Sequence, residues 1–231
     1  MATRAVDDGI HTIVATPHTL NGIYINPIKE VASRVAALQE ALSRNHINVK
    51  LYAGADVCLC PHMLELIKSG DAGTINNAGK YVLLEFPSET ILPGVKDEIF
   101  SLKVNGITPI ISHPERNSVV QHDIDVLYEL VSMGALCQVT AMSIIGDFGG
   151  TVMQCAESLL THRLVQVIAS DAHSADRRPA VLSQAVETAA KIMGSYEDAK
   201  QMVTEVPAAI LSGDMPEIPE PLSAKRGYGY L

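Results

Sequence analysis

Ile107-Thr108-Pro109-Ile110-Ile111 runs straight into Ser112-His113-Pro114-Glu115-Arg116, and the reading of that stretch decides the fold. A short β-branched run ending in ionisable residues reads as a buried strand that opens onto a loop with chemistry on it. Outward from there, comparable runs occur at Thr12 to Ala15, Val49 to Ala53, Tyr81 to Phe86, Leu136 to Thr140 and Leu164 to Ala169. Between them, apolar residues fall at helical spacing over Pro27 to Arg44, Val95 to Val104, Ile124 to Met133, Val152 to His162 and Pro179 to Met193. Strands and helices alternating at about 30 residues per unit predict parallel strands joined by crossover helices, in a barrel or a doubly wound sheet. Gly9, Gly106 and Gly134, each followed by an apolar residue, predict helix ends that feed the next strand.

The bulk composition sets the class. With 231 residues, 47% of them hydrophobic, the chain supplies one large α/β core and not two. A formal charge of -9 argues against nonspecific nucleic-acid binding, which needs clustered cations to displace phosphate counterions. The four cysteines, Cys58, Cys60, Cys137 and Cys155, stand in apolar surroundings without the framework of a secreted disulfide scaffold. That predicts a cytoplasmic protein. No stretch approaches the roughly 20 apolar residues of a membrane span, and the first residues carry no apolar signal core, so no membrane insertion is expected. From about Pro207 the sequence turns Pro-rich and loses its periodicity. Residues 1–206 are therefore expected as the domain and 207–231 as a mobile tail.

The positions at and just after the strand ends carry the function. Parallel α/β folds gather their chemistry at the carboxyl ends of the strands. Here those positions hold His18, Asp56, Glu85, His113, Asp171 and His173. Glu85 interrupts the apolar run Tyr81 to Phe86, where an unpaired carboxylate costs several kcal/mol, so it calls for a cationic partner. Asp171 and His173 are two apart and share one side of an extended segment. Asp56 has a second reading as a helix cap. Mixed imidazole and carboxylate donors suit Mn, Fe or Zn, and several carboxylates together suit more than one ion. Arg116 and Arg178 beside them suggest a substrate with phosphate or carboxylate, which a guanidinium grips in bidentate fashion.

Other chemistries fall away. None of the cysteines has an Arg six positions later; Leu64, Leu66, Ser143 and Thr161 stand there instead. A phosphate-cradling thiol loop is thereby excluded. No Gly-rich nucleotide loop is present, and Cys58-Leu59-Cys60 lacks a second pair for zinc.

Taken in order, Ala15-Thr16-Pro17-His18, Leu84-Glu85-Phe86, Ser112-His113-Pro114-Glu115-Arg116, Gln138-Val139-Thr140 and Ser170-Asp171-Ala172-His173 resemble the PHP superfamily. More narrowly they resemble its CpsB and YwqE-like bacterial tyrosine phosphatases, from Met1 to about Leu211. The resemblance implies a distorted seven-stranded, TIM-like (β/α) barrel with two or three divalent ions, usually manganese. It implies His18, Asp56, Glu85, His113, Asp171 and His173 as ligands, with Glu85 bridging ions and Asp56 in place of a more usual Glu. Arg116 and Arg178 are implied to grip the phosphate. The family's opening strand with its His-x-His is not among these residues, so the barrel is expected without its first strand and with exposed strand edges.

The function so implied is hydrolysis of phosphotyrosine through a metal-activated hydroxide, the substrate being a bacterial tyrosine kinase that controls capsule or exopolysaccharide synthesis. Two alternatives stand beside it. One is a phosphatase acting on a small phosphomonoester such as histidinol phosphate; the other is a noncatalytic binding protein on the same fold.

Overall fold

A computed structural model describes residues 1–225, and the closing Gly-Tyr-Gly-Tyr-Leu of the expected tail lies outside the described residues. Its strands are β1 (Thr12–Ala15), β2 (His18–Thr19), β3 (Lys50–Ala53), β4 (Asp56–Cys58), β5 (Tyr81–Glu85), β6 (Thr108–Ser112), β7 (Leu136–Thr140) and β8 (Val167–Ala169). Every pairing is parallel. Six strands form one sheet in the order β2-β4-β5-β6-β7-β8, and β1 pairs with β3. Consecutive strands after β4 are neighbours because the helices Val95–Val104, Asp125–Ser132 and Gly150–Thr161 return the chain by one strand each.

Two of the expected strands continue, after a break, into short further strands. The chain of β1 is interrupted at Thr16-Pro17 before β2, and that of β3 at Gly54-Ala55 before β4. Proline has no N–H to give to a ladder, and at Gly54 a Cβ would stand 3.1 Å from the side chains of Thr16 and Val14. The breaks are stitched together: Gly54 N–H donates to the Ala15 carbonyl at 2.9 Å and Asp56 N–H to the Pro17 carbonyl at 3.1 Å. The helix ends expected at Gly106 and Gly134 are observed, with φ of +77° and +94°, a backbone that glycine adopts without strain.

Alternation along the strands divides the molecule. Val57, Val82, Leu84, Ile111, Cys137, Val139 and Ile168 point into the main core, where they meet helical residues such as Ile99, Leu102, Leu127, Leu130 and Leu159. Their neighbours Tyr81, Leu83, Ile110, Leu136 and Val167 point the other way and pack with Val206 and Ile210. That second face continues upward into polar side chains. Asp56 is in register with His18 and Leu83, and Glu85, two residues beyond Leu83, with Cys58 and Ser112, so the polar side chains stand at two successive levels near the carboxyl ends of the strands.

The boundary expected at 206/207 falls inside the helix Glu205–Ser212, which buries Val206 and Ile210. The residues after it touch the domain as well. Leu222 N–H donates to the His162 carbonyl at 2.8 Å, and the backbone N–H groups of Ala224 and Lys225 donate to Asp125 at 3.0 and 3.1 Å. At the far edge of the sheet, Ile168 N–H on β8 donates to the Met202 carbonyl at 3.1 Å. No helix among the described residues is long and apolar enough to cross a membrane.

Candidate metal centre

Four of the expected ligands converge. His18 Nδ1 lies 3.3 Å from Asp56 Oδ2 and 3.2 Å from Glu85 Oε2. His113 Nε2 approaches the same two carboxylates, 3.6 Å from Asp56 Oδ2 and 3.5 Å from Glu85 Oε1. Three elements of local structure make this possible. The breaks in β1 and β3 bring His18 and Asp56 side by side. Glu85 ends β5. His113 leaves β6 with φ +34°, ψ +51°, a left-handed backbone that costs a non-glycine residue energy and persists where the surroundings enforce it. Asp171, after β8, is left-handed too, with φ +48°.

The electrostatics are those of a tightly coupled charge cluster. Asp56 and then Glu85 raise the His18 imidazole to about 10. Burial pushes His113 down, but Asp56 and Glu85 outweigh it and bring that imidazole up to about 9. Burial alone would raise both carboxyls; the two histidines reverse it and hold Asp56 and Glu85 below their ordinary values. Yet His18 Nδ1 and His113 Nε2 are buried without a well-aligned hydrogen bond. Donors about 2.1 Å from a common ion sit roughly 3 to 4 Å apart, which is the spacing here. His18, Asp56 and Glu85 each offer one atom within 4.8 Å of the others. The donor set fits a divalent cation.

Asp56 has further support. Ser112 Oγ donates to its Oδ1 at 2.9 Å, fixing the carboxylate while Oδ2 faces the histidines. Ser112 belongs to the motif read in the sequence, but its bond to Asp56 was not foreseeable, because it depends on β5 standing between β4 and β6.

Asp171 and His173 form a second group beside the first. Arg116 Nη1 donates to Asp171 Oδ2 at 2.7 Å, and Arg178 Nη2 donates to the same oxygen and, at 3.1 Å, to the Asp171 carbonyl. The expected arginines are therefore together, joined through Asp171. His173 Nδ1 is 2.8 Å from the Asp171 carbonyl. A carbonyl only accepts, so Nδ1 carries the proton and, in the neutral ring, Nε2 keeps its lone pair for a ligand. The His18 and His173 rings are 5.7 Å apart. The six expected ligands thus fall into a group of four and an adjoining pair whose carboxylate is engaged by two guanidiniums. Glu85, His113 and Arg116 also line a small recess.

Two residues escaped the sequence reading. Glu115 is fully buried; its Oε1 accepts from Ser143 Oγ at 2.6 Å and from Thr140 N–H at 3.1 Å, tying the turn after β6 to the end of β7. Burial raises its carboxyl above the ordinary value. Phe148 faces both arginines, with its ring centre 5.2 Å from Arg116 Cζ and 5.5 Å from Arg178 Cζ. Nothing in an exposed-looking Gly-Asp-Phe-Gly-Gly stretch points there; glycines on both sides are the only trace.

Comparison with known proteins places this geometry. The family model for capsular polysaccharide synthesis, CpsB/CapC, matches residues 1–212. The chain belongs to the CpsB/CapC family. It is 35% identical to the putative tyrosine-protein phosphatase CapC of Staphylococcus aureus over 195 residues, 84% of this chain and 76% of that one. The tyrosine-protein phosphatase YwqE of Bacillus subtilis (strain 168) is 29% identical over 233 residues, covering 100% of this chain and 91% of YwqE. A solved structure from work on YwqE of Bacillus subtilis and CpsB of Streptococcus pneumoniae, described as unique metal-dependent tyrosine phosphatases, superposes with a TM-score of 0.91. It covers 98% of this chain and 90% of that one, at 30% identity. The CpsB/CapC assignment agrees with the parallel α/β architecture and with a cluster of candidate metal donors at one end of its strands.

Proposed function

We propose that this chain is a metal-dependent protein-tyrosine phosphatase of the CpsB/CapC family. One observation carries the reading: two imidazole nitrogens lie within 3.2 to 3.6 Å of two shared carboxylates, next to two arginines held on one aspartate. His18, Asp56, Glu85 and His113 would hold a divalent ion, with Asp171 and His173 as ligands for a further one. A bound divalent cation supplies a water of lowered pKa and positive charge for phosphoryl oxygens. Arg116 and Arg178 bind and orient the phosphoryl group through their remaining N–H donors and stabilise the charge that grows on it. Ser112 keeps Asp56 turned toward the histidines. No nucleophilic side chain is required: the cysteines are shifted toward the unreactive thiol, with burial raising Cys155 to about 12.

Several finer readings belong with this proposal. Manganese is the metal it favours. The sheet is read as the wall of a distorted (β/α)7 PHP barrel, its inner face running from Val206 and Ile210 at the bottom to the donors at the top. The catalytic unit is taken to run through the helix Glu205–Ser212, the protein as cytoplasmic, and the substrate as a tyrosine kinase of capsule or exopolysaccharide synthesis, in keeping with the family's description.

Phosphate release from a phosphotyrosine peptide tests the reading. Manganese-loaded protein is expected to hydrolyse it, to lose the activity in chelator, and to regain it when Mn2+ is returned. Faster turnover of histidinol phosphate than of the peptide would overturn it.

A further inference from the structure

We infer that Phe148 is a positioning residue for anion binding, its ring holding Arg116 and Arg178 at a set spacing without using any of their N–H donors. The inference rests on the reading of those arginines as the phosphate grip, and it adds what keeps them in place. Two guanidiniums that meet on a single oxygen, Asp171 Oδ2, repel each other, and one carboxylate offsets only part of that repulsion. The face of an aromatic ring attracts cations through its quadrupole. Phe148 offers such a face to both at 5.2 and 5.5 Å.

The ring is mounted to do this. Phe148 occupies the third position of a tight turn in which Gly149 N–H donates to the Gly146 carbonyl at 2.9 Å, and Asp147 N–H donates to the Met142 carbonyl at 3.0 Å. Gly146 and Gly149 have φ of +89° and +95°, and a Cβ at Gly146 would stand 3.0 Å from Met153 Sδ. The turn leads directly into the helix Gly150–Thr161, so the ring rides on a fixed element. Each arginine is then held from two sides: by a carboxylate that consumes donors and by a ring that consumes none. Only the second contact survives unchanged when a phosphoryl group takes up the N–H groups.

Calorimetric titration of the manganese-loaded chain with inorganic phosphate tests this, comparing parent, Phe148→Leu and Phe148→Tyr. Leucine keeps the apolar bulk and removes the π face; phosphate affinity is expected to fall by about five- to tenfold, the size of two partly buried cation–π contacts. Tyrosine keeps the face and is expected to bind within about twofold of the parent. Mn2+ affinity at the site of His18, Asp56, Glu85 and His113 should be the same in all three, since the ring acts on the two arginines. The inference fails if Phe148→Leu binds phosphate as the parent does, if Phe148→Tyr is as weak as Phe148→Leu, or if manganese affinity drops alongside phosphate affinity. A chain that shows the expected phosphate pattern and yet leaves phosphotyrosine peptides intact would uphold the role of Phe148 and sink the substrate reading alone.

Discussion

Ser112 illustrates how a hydroxyl with no chemistry of its own can orient a proposed ligand. Its bond to Asp56 Oδ1 orients the carboxylate, and partners of this kind contribute roughly 10- to 100-fold to metal affinity. Ser112→Ala is accordingly expected to weaken Mn2+ binding by about that factor with the fold intact, which calorimetry and circular dichroism read together; unchanged affinity would refute the role. The histidines add a pH dependence. In metal-free protein His18 and His113 stand at about 10 and about 9 against 6.5 for the free side chain, so their ion pairs stabilise the fold fully below pH 6.5 and cease to as pH rises through 9 to 10. Asp56 and Glu85 are depressed, and their share is lost as pH falls through and below the ordinary carboxylate range. Near neutrality a cation must displace both imidazolium protons. Titrating Mn2+ at pH 7 in buffers of different ionisation enthalpy should therefore show proton release, with apparent affinity rising from pH 6 to 8. Binding without proton release would show that the two imidazoles are already neutral.

At the level of elements, the turn after β6 is held by Asn117 as much as by its own motif. The Asn117 side chain accepts from the N–H groups of Val119 and Val120 and donates to the carbonyls of Pro87 and Thr90. It caps the helix Ser118–His122 and ties it to the loop beyond Glu85. Asn117→Ala should cost about 2 kcal/mol, one buried cap with its tethers, seen as a fall in melting temperature of about 4 to 8 °C for a domain of this size. Much of this level was legible in advance. The runs at Tyr81, Ile107 and Leu136 became β5, β6 and β7, and the helices between them matched within a few residues, because strong periodicity and burial agree there. The short helices Met63–Ser69 and Ala141–Ile144 were not legible: too few residues repeat for a period to show. Nor were the breaks after β1 and β3, although Pro17 and Gly54 mark where they fall.

Across the whole molecule, reading which residues carry chemistry was easier than reading how they group. His18, Asp56, Glu85 and His113 were identifiable because each lies just beyond or at the end of an apolar run. That they form one cluster, while Asp171 turns to Arg116 and Arg178, is a product of strand order and of the left-handed backbones at His113 and Asp171, which no local pattern encodes. Glu115 was hidden for a similar reason, since its partners Thr140 and Ser143 lie on the next strand and the helix after it.

The four converging donors are drawn from positions 18, 56, 85 and 113, spread over nearly half the chain and over separate strands. An unfolded polypeptide does not hold them together, so capture of an ion at the proposed site would favour the finished fold and drain the population open to proteases. Cellular supply of the ion would then set how much of the protein survives as well as how fast it works. Under metal starvation the loss would register first as reduced abundance, with turnover by quality control preceding any build-up of intact but inactive molecules.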